Sequence, residues 1–100
     1  MAQNHLFDCG AVFVSKGIVH LCGSPAAAHE IFAPLLERHC CGDFGVAGEE
    51  IVETNLAVLA HEGEIRSIYL VSLREDDLPI LMMLTTEVGH HTTRFHLPGE

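Results

Sequence analysis

The chain has 100 residues, 48% of them apolar, which is the usual size of one domain and enough material for one core, so residues 1–100 are expected to fold as a single unit. Five Lys and Arg stand against fourteen Asp and Glu, a formal net charge of −9, so phosphate backbones and anionic lipid surfaces are repelled and a basic protein surface is the better-matched partner. No apolar run approaches the ~18 residues that span a bilayer, and Met1-Ala2-Gln3-Asn4-His5 has no basic flank leading into an apolar signal core, so a cytoplasmic protein is expected.

The first elements are two β-branched-rich runs, Ala11-Val12-Phe13-Val14 and Ile18-Val19-His20-Leu21. The small Gly-containing connection Ser15-Lys16-Gly17 between them reads as a hairpin, and the alternative is that residues 18–23 open a helix. Ser24-Pro25 is a helix start, with a capping hydroxyl followed by a proline at the first helical position, and Ile31, Leu35 and Leu36 follow at helical spacing. That helix is expected to run to about Cys40, to kink or break at Pro34, and to stop at Gly42. A second helix starts near Glu49-Glu50, whose carboxylates suit the positive end of the dipole, carries Val52, Leu56 and Leu59 on one face, and ends at Gly63.

Ile65 to Leu73 and Pro79 to Leu84 are apolar strand-type runs joined by the polar turn Arg74-Glu75-Asp76-Asp77, and Thr92 to Leu97 is a third. The sum is an α+β fold: an antiparallel sheet, made of this meander and the N-terminal hairpin, with two helices packed on one face. Leu56, Leu59, Ile68, Leu70 and Leu81 are expected to be buried, with Met82-Met83 as core filler. The four cysteines, Cys9, Cys22, Cys40 and Cys41, are read as reduced thiols packed as small apolar residues, Cys40 and Cys41 being adjacent in sequence.

Arg38-His39-Cys40-Cys41-Gly42-Asp43-Phe44-Gly45, followed by Glu49-Glu50 and Asn55, resembles an Arg-His-x-x-Gly-Asp-Trp-Gly signature with a downstream Glu-Glu and Asn. It is similar to a family of small bacterial proteins carried on plasmids, phages and integrated elements and labelled "plasmid-related protein". The similarity continues through Ser67-x-Tyr69, Thr85-x-Glu87, Thr92-Thr93 and Leu97-Pro98. Phe44 stands where that family has Trp, and the stretch from Ile18 to Leu35 is longer than its counterpart. The resemblance implies a bacterial, mobile-element context and attaches no chemistry. In size and charge such proteins resemble inhibitors of host defence, including anti-CRISPR proteins, which occlude basic grooves without catalytic residues.

Within the signature, Arg38, His39 and Asp43 invite an acid/base reading: His39 as proton carrier, Asp43 orienting it, Arg38 clamping an anion. The structural reading weighs more, since the cluster lacks a separate nucleophile or phosphate loop. On that reading Arg38 and His39 suit the carbonyl end of a helix, Gly42 a left-handed cap, and Asp43 the N–H groups of the turn reaching Gly45. Metal sets, His90-His91 with His96 or His39 with Cys40 and Cys41, have the wrong spacing for structural zinc, and no metal or cofactor is expected. Glu49, Glu50, Glu53, Glu62 and Glu64 form a candidate negative face for partner binding, with Phe44 and Tyr69 as candidate aromatic anchors. The leading expectation is a non-enzymatic interaction protein acting through that acidic surface. A small enzyme or anion-binding protein using Arg38, His39 and Asp43 is the alternative, and a subunit that associates with itself through a sheet edge is a third.

Overall fold

The computed structural model describes residues 5–59, 63–73, 78–89 and 91–100. In chain order these form β1 (Ala11–Val14), α1 (Lys16–Cys22), α2 (Pro25–Cys40), α3 (Glu49–Val58), β2 (Glu64–Val71), β3 (Ile80–Glu87) and β4 (Thr92–His96). The strands make one four-stranded sheet in the order β1-β4-β3-β2.

The fold is α+β, but two expectations about it fail. Ile18 to Leu21 is not the second strand of a hairpin; it lies in α1, because Ser15 takes the N-cap position and its hydroxyl accepts the Ile18 backbone N–H. The sheet is not purely antiparallel either: β1 pairs parallel to β4, while β4, β3 and β2 pair antiparallel. A four-residue apolar run carries no information about direction, and the helices after β1 carry the chain away before β4 returns beside it. The described residues therefore hold three helices rather than two.

Ser24 caps α2 through the Ala27 N–H, and the helix continues through Pro34 without a break. One lost hydrogen bond is outweighed by anchoring on both sides, with Ala28 and Phe32 buried before the proline and His39 and Cys40 after it. Ile31, read as part of the apolar stripe, faces solvent instead. The core consists of Ile18, Ala28, Phe32, Tyr69, Met82, Leu84 and Phe95, with the Phe32 and Phe95 rings 5.8 Å apart.

The expected core leucines are misplaced. Leu56, Leu59, Leu70 and Leu81 are exposed and Ile68 is half-buried. Strand residues alternate faces, and in β2 the phase that meets the helices is Ile65, Ser67 and Tyr69, which turns Leu70 outward. Leu81 is opposite Leu70 in the register and turns out with it. In α3 the buried residue is Asn55 rather than a leucine, and the helix closes at Val58, ahead of Gly63.

The cysteine reading is also corrected, because Cys9 and Cys40 form a disulfide across Cα atoms 6.6 Å apart. Their sequence separation of 31 conceals a proximity that only the docking of the N-terminal segment on α2 creates. Leu6 N–H donates to the Cys40 carbonyl in the same place, at 2.8 Å. The turn Arg74 to Asp77, Glu62 and His90 lie outside the described residues. Among those described, no helix is long and apolar enough to cross a membrane.

Candidate functional site

The signature segment ends α2 and carries the chain to the edge of the sheet. Gly42 has φ 91°, the left-handed conformation of a helix C-terminus, and its N–H reaches the His39 carbonyl. Gly45 has φ 71°, and a Cβ placed there would stand 2.1 Å from the Ile68 carbonyl oxygen. Only glycine allows this approach, which forms a parallel bridge from Gly45 to Ile68. Val46 N–H donates to the Ile68 carbonyl at 2.7 Å, and Ile68 N–H to the Phe44 carbonyl at 3.1 Å.

Asn55 does the same one step along the strand. Its side-chain N–H donates to the Arg66 carbonyl at 2.6 Å, and its oxygen accepts the Arg66 N–H at 2.9 Å. The outward backbone groups of Arg66 and Ile68 are thus satisfied, and this stretch of the β2 edge offers no template for another strand.

Arg38 and Asp43 meet on the surface. Arg38 Nε donates to Asp43 Oδ2 at 2.7 Å, and the guanidinium carbon lies 4.8 Å from the Tyr69 ring centre. The second Asp43 oxygen accepts Gly45 N–H at 3.1 Å, and the Tyr69 hydroxyl donates to the Asp43 carbonyl. The hydrogen bond from Arg38, then that from Gly45, holds the Asp43 carboxyl below the usual carboxylate range. Burial pushes the Tyr69 phenol up to about 12.

His39 is turned the other way and is wholly buried. Its Nδ1 is bonded to Ser67 Oγ and its Nε2 to Thr86 Oγ1 at 2.8 Å. Thr86 Oγ1 lies 2.7 Å from Thr93 Oγ1, whose hydroxyl donates to the Cys9 carbonyl at 2.7 Å. Each hydroxyl has one proton, and that assigns the whole chain from its far end. Thr93 spends its proton on Cys9, so Thr86 donates to Thr93 and His39 Nε2–H donates to Thr86. Burial lowers the ring's pKa to about 4, so at neutral pH His39 is the uncharged Nε2–H tautomer and its Nδ1 accepts from Ser67. The rings of Phe7 and Phe44 stand edge to face with the imidazole, with centroids at 5.1 and 6.3 Å.

This geometry separates the three residues of the acid/base reading: Asp43 is bonded to Arg38 and Gly45, and His39 to Ser67 and Thr86. Phe44, proposed as an exposed anchor, is buried against His39, and Tyr69 is buried too. Glu49, Glu50 and Glu53 are exposed in the first turns of α3, and Glu64 pairs with Arg66 at 2.7 Å. Of the metal sets, Cys40 is bonded to Cys9, His39 is enclosed, and His96 is bonded to Thr85 and to the Leu97 carbonyl.

Sequence reasoning missed Ser67, Thr86 and Thr93 as partners of His39. The available signal was polar residues occurring in the inward phase of otherwise apolar strands. It also missed the face of the sheet opposite the helices. There Leu70 faces Leu81, Ile68 faces Met83, and Phe13 is exposed on β1. Beyond them Arg66, Thr85 and Arg94 lie in a row, in a shallow depression of about 550 Å³ flanked by Glu64 and Glu87. Comparison of the chain with protein-family models, curated proteins and solved structures finds no match.

Proposed function

We propose that this chain is a non-enzymatic interaction protein that takes a protein partner on the uncovered face of its sheet. The observation that carries this reading is the row of apolar register pairs on that face, exposed Leu70 opposite exposed Leu81 and half-buried Ile68 opposite half-buried Met83. A one-sided antiparallel sheet ordinarily shows polar residues to water, and a contiguous apolar patch bordered by charge marks a binding surface. The exposed carboxylates of Glu49, Glu50 and Glu53 and the net charge of −9 favour a partner with a basic rim and draw it in at long range. Under the resemblance to mobile-element proteins, that partner is a subunit of a host defence complex.

Two observations weigh against the alternatives. Both ring nitrogens of His39 are occupied inside the core, which leaves a small enzyme built on Arg38, His39 and Asp43 without its proton carrier. Charge repulsion opposes self-association, and the β2 edge that such pairing would use is covered at Arg66 and Ile68.

Recovery of tagged protein from a bacterial host, with its co-purifying proteins identified, tests the reading. The Leu70→Lys, Leu81→Lys double variant should lose the partner while unfolding at the wild-type temperature, because both side chains already face water. Retention of the partner by that variant would place the interface elsewhere, and recovery of the chain with only itself would support self-association.

A further inference from the structure

Outside these surfaces, the N-terminal segment creates a second cluster. His5 Nε2 lies 3.0 Å from Glu37 Oε1, and Cys41 Sγ lies 3.8 Å from the same oxygen. The imidazole nitrogen, carboxylate oxygen and sulfur all lie within 4.8 Å of one another, and this is the one such group among the described residues. Glu37 and Cys41 are four residues apart, so one helical turn stacks them on the same side of the end of α2. His5 is brought over them by the Leu6 N–H bond to Cys40 and by the Cys9–Cys40 disulfide. Two covalent or hydrogen-bonded anchors thus fix a residue 32 positions away in sequence.

We propose that His5, Glu37 and Cys41 form a zinc-binding site with one open coordination position. Tetrahedral zinc holds nitrogen and oxygen at ~2.0–2.1 Å and sulfur at ~2.3 Å, which places the ligand atoms of one ion roughly 3.3–3.6 Å apart. The spacings of 3.0 and 3.8 Å from Glu37 bracket that range, and the His5 nitrogen and Cys41 sulfur, within 4.8 Å of each other, close on one ion by side-chain rotation of roughly 1 Å. The donor set selects the metal: thiolate and imidazole suit zinc, whereas calcium and magnesium take oxygen ligands. The location suits a cation as well. Glu37 is an acidic residue in the last turn of α2, where the carbonyl end of the helix favours positive charge. On binding, Cys41 gives up its thiol proton to solvent, His5 coordinates as the neutral ring, and two ligand anions balance the charge of the ion. The fourth position is left for water or for a donor from another molecule.

The probe is zinc chloride titrated calorimetrically into the full chain, purified with the Cys9–Cys40 disulfide intact, followed by cobalt substitution read by sulfur-to-metal charge-transfer absorption. One equivalent should bind, with release of one proton. His5→Ala, Glu37→Gln and Cys41→Ser should each weaken binding by more than the roughly 10–100-fold that an outer hydrogen-bond partner of a metal ligand is worth. Cys41→Ser should also abolish the charge-transfer band. All three side chains are at least partly exposed, and circular dichroism checks that the variants stay folded. Undiminished binding in the triple variant, binding lost instead when His90 and His91 are replaced by Ala, or a cobalt spectrum without sulfur ligation would each overturn the proposal.

Discussion

His39 is a titratable group held out of reach of water, and its environment makes stability depend on pH. Its folded-state pKa of about 4 lies below the ordinary 6.5, so as pH falls the unfolded chain takes up the proton first. The contribution is complete above about pH 6.5 and is lost as pH falls toward 4, a total of about 3 kcal/mol for this shift at ~1.36 kcal/mol per pH unit. Urea midpoints at neutral and acid pH, paired with the NMR titration of the His39 ring, measure both halves of the claim. A ring titrating near 6.5 in the folded protein would contradict the buried assignment. The two signature glycines make a second prediction. Gly45→Ala drives a methyl into the Ile68 carbonyl, whereas Gly42→Ala meets only the end of the Leu6 side chain, 2.7 Å away. Both have positive φ and should cost about 1–3 kcal/mol for the strained backbone, with Gly45→Ala the more damaging in thermal unfolding.

At the level of elements, the short N-terminal segment and α3 are attached by few but specific contacts. Asn55 imitates a neighbouring strand, offering one donor and one acceptor to the Arg66 backbone. Asn55→Ala should cost about 1–3 kcal/mol, since it leaves two strand groups without protein partners, and should speed hydrogen exchange at the Arg66 amide. Unchanged exchange there would mean that α3 is held by its apolar contacts alone. The Cys9–Cys40 disulfide ties the segment before β1 to the end of α2 across 31 residues. Its reduction, or Cys9→Ser, should lower stability by about 2–4 kcal/mol, chiefly through the larger freedom of the unfolded chain. The starts of α2 and α3 were legible locally, because Ser24-Pro25 and Glu49-Glu50 act on the backbone within one turn. The nature of α1 was less so: Ser15 serves equally as a turn residue or a cap, and burial of Ile18 decides between them.

For the whole molecule, the consequence is a two-sided sheet, sealed by helices on one face and open on the other. With a net charge of −9, association with a basic partner should slow as salt rises, and reversal of Glu49, Glu50 and Glu53 to Lys should reproduce the slowing. An association rate indifferent to both would leave the apolar pairs of the open face as the whole of the interface. Composition, the apolar strand-type runs and the capping residues sufficed to establish an α+β chain, the places of β1 to β4 and two of the helices, since these follow from forces acting over a few residues. The phase of β2 was beyond such forces, because Ile65 and Leu70 are equally apolar and only the position of the helices tells which faces inward. The same holds for the parallel pairing of β1 with β4 and for the partners of His39. Ser67 and Thr86 are 28 and 47 residues away from that ring, and Thr93 is 84 residues from the Cys9 carbonyl that orders the whole chain of protons. Such contacts exist only once packing has excluded water and left each buried donor a single acceptor, so the tertiary structure alone assigns them.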